Sequence, residues 1–200
     1  MHGMMKSVCI LARKAGSGRT AFHDYYETSH APLAIGHFPF ARYVRNHLVG
    51  SVEPGFDTIS EFWAADIGKV AALMDGPAGE IMRADEERFM DRSRIAAAGA
   101  EERLLSDQGP ATDGLRRAVF VDWRGDGAGE KERTIDLARS LAARGRAVSL
   151  DLIQPWGEPA FPARAIIWTT GDPLAELPPL PQAREFVVRS IETSAPLLSA

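Results

Sequence analysis

Ser106-Asp-Gln-Gly-Pro-Ala-Thr-Asp-Gly114 is a run of turn-forming and polar residues with no apolar periodicity, and it splits the chain into two segments with the same order of elements. Before it, Ser7–Arg13 is a short apolar run, and Thr20–Ala34 places Phe22, Tyr26, Ser29 or His30, and Leu33 at helical spacing. Phe40–Val49 and Phe56–Ala64 are rich in aromatic and β-branched residues and are joined by Gly50-Ser-Val-Glu-Pro-Gly55, which predicts a hairpin. Val70, Leu73 and Met74, then Ile81, Asp85 and Phe89, keep a helical period across Gly76-Pro-Ala-Gly79, and Ile95–Leu105 closes a βαββαβ unit. After the break, Ala118–Trp123, Val148–Ile153, Ala165–Thr170 and Glu185–Glu192 read as strands, and Glu130–Arg144 reads as a helix ended by Gly145. Asp172–Arg184 carries Pro173, Pro178, Pro179 and Pro181, which excludes an ordinary helix from most of it and makes the second unit a degenerate copy.

A βαββαβ unit puts its helices on one face of a sheet and leaves the other face to be covered. Two such units in one chain cover each other. The expected fold is therefore α+β, with two ferredoxin-like halves packed sheet to sheet as a single-chain α+β barrel: residues 1–105, a linker at 106–114, and residues 115–200. A small ligand is expected in a cavity between the open faces of the two sheets.

With 45% hydrophobic and 25% charged residues the composition is that of a globular protein. Twenty-three Lys and Arg against 27 Asp and Glu give 23 − 27 = −4, so there is no global positive field to collect nucleic acid or anionic lipid. Cys9 is the single cysteine, which fits a reducing cytoplasm, and Val8–Ala12 is too short for a signal-peptide core or a membrane span. The expected partner is a small apolar or aromatic ligand rather than nucleic acid or membrane.

The first half carries a recognisable series of motifs. Phe22-His-Asp-Tyr-Tyr-Glu-Thr-Ser-His-Ala-Pro-Leu33, then Pro39 and Arg42-Tyr-Val-Arg-Asn-His47, then Asp57, Glu61 and Trp63, then Asp85-Glu-Glu-Arg-Phe-Met-Asp91, resembles the EthD family over roughly residues 6–105. The resemblance implies the dimeric α+β barrel superfamily, whose relatives include small-molecule isomerases, cofactor-free monooxygenases, polyketide dehydratases and haem enzymes. It implies a fold more strongly than a reaction. Residues 115–200 carry none of these motifs.

His30 is the first candidate for chemistry. It follows Tyr26 by four residues and Phe22 by eight, which leans its ring toward the buried stripe of the helix. An imidazole there is suited to moving a proton to or from a ligand, and Ala31-Pro32 is expected to end the helix beside it. The structural alternative is a histidine that pins the helix to the sheet. Strand alternation puts Tyr43, Arg45 and His47 on one face of their strand, and Asp57, Ile59, Glu61 and Trp63 on one face of the next. Glu61 beside Trp63 would be a raised-pKa carboxylate in an apolar cavity, or else a cross-strand partner of Arg45 or His47. His30, Tyr26, His47 and Glu61 are the candidate catalytic residues, with Tyr43 and Trp63 contacting ligand.

Metal is not expected. His23, His30 and His37 recur every seven residues, about 10.5 Å along a helix, too far apart to share an ion. No cofactor motif is present: Gly125-Asp-Gly-Ala-Gly129 lacks the residues of a phosphate-binding loop, and only His30 or His47 could act as a haem ligand. The functional expectation is an EthD-like protein that isomerises, dehydrates or oxidises a small aromatic or polyketide-like molecule by His-assisted proton transfer without a cofactor. The alternative is a non-catalytic ligand-binding or assembly module whose polar cluster is structural, with His30 and Glu61 satisfying one another or the backbone. A symmetric homodimer is the expected assembly.

Overall fold

The computed structural model describes residues 4–106, 114–123, 127–170 and 182–193. Most of the expected linker, the proline-rich stretch before the last strand, and Gly125 and Asp126 lie outside the described residues. Eight strands close into one antiparallel barrel. They are β1 (Met5–Leu11), β2 (Arg42–Leu48), β3 (Thr58–Ala64), β4 (Ala96–Leu104), β5 (Leu115–Val121), β6 (Val148–Pro155), β7 (Ala165–Thr169) and β8 (Ala183–Glu192), in the order β1-β3-β2-β8-β5-β7-β6-β4.

The first four strands are ordered β4-β1-β3-β2 and the last four repeat that order as β8-β5-β7-β6. Two seams join them. In one, β2 pairs β8 with Val44 opposite Glu192 and Leu48 opposite Val188; in the other, β4 pairs β6 with Ala98 opposite Pro155 and Leu104 opposite Ser149. The halves therefore meet edge to edge, and no strand is left with an unpaired edge.

Period-two alternation sends one side of every strand inward. Val8, Ile10, Ile59, Phe120, Ile166, Trp168 and their neighbours fill the barrel, with Phe56 stacked on Phe120 at 5.6 Å. Outside the first half lies a helical layer made of α1 (Arg19–Tyr25), a wider turn at Tyr26–His30, α2 (Ala31–His37), α3 (Ile67–Met74) and α4 (Pro77–Phe89). Outside the second half, α5 (Ala128–Ala143) packs Ile135, Ala138 and Leu141 against Val119, Leu150 and Ile167. The turn between α3 and α4 is tight enough that a Cβ on Gly79 would sit 1.9 Å from the Met74 carbonyl oxygen, so only glycine fits.

The first helix does not stop at Ala31-Pro32, as the pre-proline rule predicts. Ala31 keeps helical angles of φ −65° and ψ −44°, and its N–H donates to the carbonyl of Tyr26, five residues back. Pro32 has no N–H to give and its ring crowds the carbonyl four residues earlier. The helix accommodates both by widening into one π turn and continuing to His37.

Charges cross the barrel interior at one end. Lys6 is buried and places Nζ 2.8 Å from Glu61 Oε2, 3.0 Å from Glu102 Oε1 and 2.8 Å from Asp151 Oδ2. Trp63 Nε1–H donates to Glu102 at 2.9 Å, and Trp168 Nε1–H donates to Asp151 at 2.7 Å. Asn46 and Arg116 both donate to Glu61 Oε1, at 2.8 and 2.9 Å, and Ser190 donates to Asn46 at 2.6 Å. Every strand of the barrel contributes at least one of these side chains.

Burial opposes the charge on Lys6, but Asp151, Glu61 and Glu102 outweigh it and hold the ammonium protonated. Burial, reinforced by Glu61 and only partly opposed by Lys6, pushes the Asp151 carboxyl up to about 6. For Glu61 burial acts in the same direction, yet Lys6 and Arg116 prevail and bring it down to about 2.

Replacing Lys6 by Met leaves buried carboxylates without their cation and is expected to cost about 3–5 kcal/mol in urea unfolding. The raised Asp151 has the opposite sign from a salt-bridged carboxylate. Between its ordinary value of 3.8 and about 6 the folded state binds more proton than the unfolded state, so this group's contribution to stability falls as pH rises through that window. Unfolding measured at pH 4, 5 and 6 should show a less negative slope for Asp151→Asn than for the wild type.

Candidate functional site

The strand alternation that fills the barrel separates the candidate residues into two groups. Glu61 and Trp63 point into the barrel, where Glu61 bonds Lys6, Asn46 and Arg116, and Trp63 bonds Glu102. Tyr43, Arg45 and His47 point outward, under the helices. Glu61 therefore pairs with neither Arg45 nor His47, and it does not meet His30; the two lie on opposite faces of one sheet. Arg45 and His47 are instead held by Glu27, whose carboxylate lies 2.7 Å from Arg45 Nη2 and 2.7 Å from His47 Nε2. Burial would raise Glu27, but bonds from His47 and Arg45 overcome it and bring the carboxyl to about 2.

The expected cavity between sheet faces is occupied by the apolar core and the Lys6 network. What remains is a polar pocket of about 190 Å³ at the barrel mouth, where Arg42 pairs with Glu192 and Arg116 with Glu61. The apolar cavity lies on the other side of the sheet. It measures about 240 Å³ between the outer face of β1, β3 and β4 and the helices, and is lined by Tyr26, His30, Phe38, Tyr43, Phe62 and Met82 among others.

His30 is buried where the π turn meets α2. Its Nδ1 lies 2.8 Å from Asp85 Oδ2 on α4, and Asp85 Oδ1 accepts from Tyr25 Oη at 2.7 Å. An ionised carboxylate only accepts, so Nδ1 carries the proton and Nε2 presents its lone pair. Nε2 has no hydrogen-bond partner among the described residues, yet no buried polar side-chain atom is left unpartnered, which leaves Nε2 open to the cavity that His30 lines. Burial lowers the His30 pKa from its ordinary 6.5, with Asp85 opposing part of the shift, so the ring is neutral at pH 7.

Beside it, Tyr26 Oη lies 2.9 Å from Tyr43 Oη and 2.8 Å from Ser60 Oγ. Three hydroxyl protons serve two hydrogen bonds, so one proton of Tyr26, Tyr43 or Ser60 is not used within this chain of bonds. Burial raises both tyrosines above their ordinary value, keeping them protonated donors. Glu86 and Cys9 also line the cavity; burial raises the Glu86 carboxyl and pushes the Cys9 thiol up to about 12, far from the thiolate form. His47 lies behind Tyr26, bonded to Glu27 and to Thr58 at 2.7 Å, and does not line the cavity.

The structure thus brings His30, Tyr26 and Tyr43 to one cavity and leaves Glu61, Trp63 and His47 outside it. Sequence reasoning missed Asp85 as the partner of His30. Its position in the helical series Ile81, Asp85, Phe89, a carboxylate on an otherwise apolar stripe, was the available signal. Among the described residues no three His, Cys, Asp or Glu side chains converge as metal ligands, and no helix is long and apolar enough to cross a membrane.

A closed single-chain α+β barrel with a histidine-lined cavity under its first helical layer is the class of protein that the fold defines. Residues 14–93 match the family model of the EthD domain. Solved structures share the fold across nearly the whole chain. An anthrone oxidase-like protein is 9% identical at a TM-score of 0.61, with 96% of this chain and 93% of that one covered. A protein from Lactobacillus acidophilus NCFM named as a candidate monooxygenase is 9% identical at a TM-score of 0.54, covering 94% and 93%. A mutant chlorite dismutase from Candidatus Nitrospira defluvii is 7% identical at 0.50, covering 100% and 95%. At these identities the likeness establishes the fold alone. No curated protein sequence matches the chain.

Asp85→Asn removes the charge that opposes the downward shift of His30, so the His30 titration followed by NMR should move further below its wild-type midpoint. An unchanged midpoint would show that Asp85 does not govern the ring.

Proposed function

We propose that this protein acts on a small apolar, aromatic or polyketide-like molecule held in the cavity under the first helical layer, with His30 moving the proton. The observation that carries the reading is the oriented imidazole: Nδ1–H tied to Asp85 and Nε2 without a protein partner, facing an apolar space of about 240 Å³. A neutral base with its tautomer fixed is ready to accept a proton from an acidic C–H or O–H of the ligand. The proton goes to Nε2, the ring becomes an imidazolium beside Asp85, and the negative charge left on the ligand oxygen meets the spare hydroxyl proton of Tyr26 or Tyr43. Return of the proton to another carbon is isomerisation, loss of hydroxide from the neighbouring carbon is dehydration, and capture of the carbanion by molecular oxygen is cofactor-free oxygenation. The apolar lining, with Phe38, Tyr43 and Phe62 among it, supports an aromatic ligand. Asp85 is the positioning residue.

Proton transfer is read directly by exchange of the α-hydrogens of 2-tetralone in D2O. Wild type is expected to accelerate exchange over buffer, His30→Ala to lose the acceleration by roughly a hundredfold or more, and the acid limb of the rate to lie below pH 6.5, because only neutral His30 accepts a proton. Exchange at the buffer rate, or His30→Ala equal to wild type, overturns the catalytic reading. Binding of 2-tetralone without exchange would assign the chain to the non-catalytic ligand-binding class.

A further inference from the structure

One wall of the His30 cavity comes from the half of the chain that carries no EthD motif. Pro155 ends β6 opposite Ala98 of β4, and the next residue, Trp156, turns over the outer face of β4. That face is built of the smallest side chains. Ala97 lines the cavity, and Gly99 offers bare backbone on which the indole lies: a Cβ at Gly99 would come within 3.0 Å of Trp156 Nε1 and 3.3 Å of its Cε2 and Cζ2. Trp156 is nevertheless 54% exposed, and its N–H has no hydrogen-bond partner among the described residues. A large aromatic ring held against a glycine, half open to solvent and bordering an apolar cavity, is the arrangement of a ligand-contacting face rather than of a filled core.

The other walls have the same character. Tyr43 and Phe62 stack at 4.7 Å with 18° between their planes, and Phe40 lies 4.9 Å from Phe62. At about 240 Å³ the cavity falls just below the roughly 300–1,000 Å³ usual for drug-sized ligands. It fits a molecule of one or two fused rings.

We propose that Trp156 is a specificity-determining residue contributed by the second half, and that it selects a planar aromatic ligand of one or two rings over a saturated one of the same skeleton. This rests on the cavity being the ligand site, but not on His30 transferring a proton. It assigns the second half a role in recognition. The EthD domain supplies the base and the hydroxyls, and the partner half supplies the ring that faces the ligand.

The test compares binding of 2-tetralone and trans-2-decalone, which share a skeleton and a ketone but differ in aromaticity, by calorimetry. Wild type is expected to prefer 2-tetralone, Trp156→Phe to keep most of the preference, and Trp156→Leu to lose it by roughly three- to tenfold. Gly99→Ala should lower 2-tetralone affinity without touching the ligand, because the added methyl lifts the indole off the strand. Thermal melts of the variants check that each is folded, and exposed Trp156 makes substitution there tolerable. If neither ketone binds, the cavity itself is misassigned. If both bind with equal affinity to wild type, or if Trp156→Leu discriminates as wild type does, the Trp156 proposal is overturned while the His30 reading stands.

Discussion

Lys6 carries one ammonium into the barrel interior, where its side chain is buried, and three carboxylates from three other strands meet it within 3.0 Å. Glu61 and Glu102 belong to the first half, Asp151 to the second, so the cation ties the two sheets through the barrel axis. A buried charge of this kind does not add stability over a well-packed apolar pair. A slip of register at the β4·β6 seam would strand Asp151 or Lys6 without its partner, and the cost of an unpaired buried charge is large. Asn46, Arg116, Trp63 and Trp168 then satisfy the remaining carboxylate oxygens, which fixes their rotamers as well.

Filling the barrel in this way determines where a ligand can go. The barrel interior is filled by the apolar core and the Lys6 network, and the polar mouth is lined by charges already paired with each other. The apolar cavity lies where a layer is incomplete: β4 presents alanine and glycine outward, and α2, α3 and α4 arch over β1 and β3 without reaching the sheet everywhere. The π turn forced by Pro32 places Tyr26 and His30 at the edge of that space. Local backbone chemistry in the helix and small-residue composition in the strand thus converge on one cavity.

Much of the architecture was legible in the chain. Period-two alternation in Phe40–Val49 and Phe56–Ala64, a hairpin-forming connection, and helical spacing through Phe22, Tyr26 and His30 each correspond to an element, because each depends on neighbours within a few residues. The alternation even gave the correct sharing of faces among Tyr43, Arg45 and His47, and among Ile59, Glu61 and Trp63. It could not say which face looks into the barrel. With both faces of a barrel strand buried, one by the core and one by helices, hydrophobic content does not distinguish inside from outside. His30 and Glu61 were consequently brought together on paper and lie on opposite sides of the sheet. The break expected at Ala31-Pro32 failed for a related reason: the pre-proline rule is a local preference, and packing of Phe22, Tyr26 and Ala34 against the sheet keeps the helix going past it.

The sequence by itself determined the order of strands and helices, since that order depends on short-range periodicity. Only the tertiary structure decided the partners: Asp85 for His30, Glu27 for Arg45 and His47, Lys6 for three carboxylates, and Trp156 against Gly99. Those contacts join residues 18 to 145 positions apart. Which charge meets which at such separations is settled by strand order and barrel closure, and neither leaves a periodic trace in the chain.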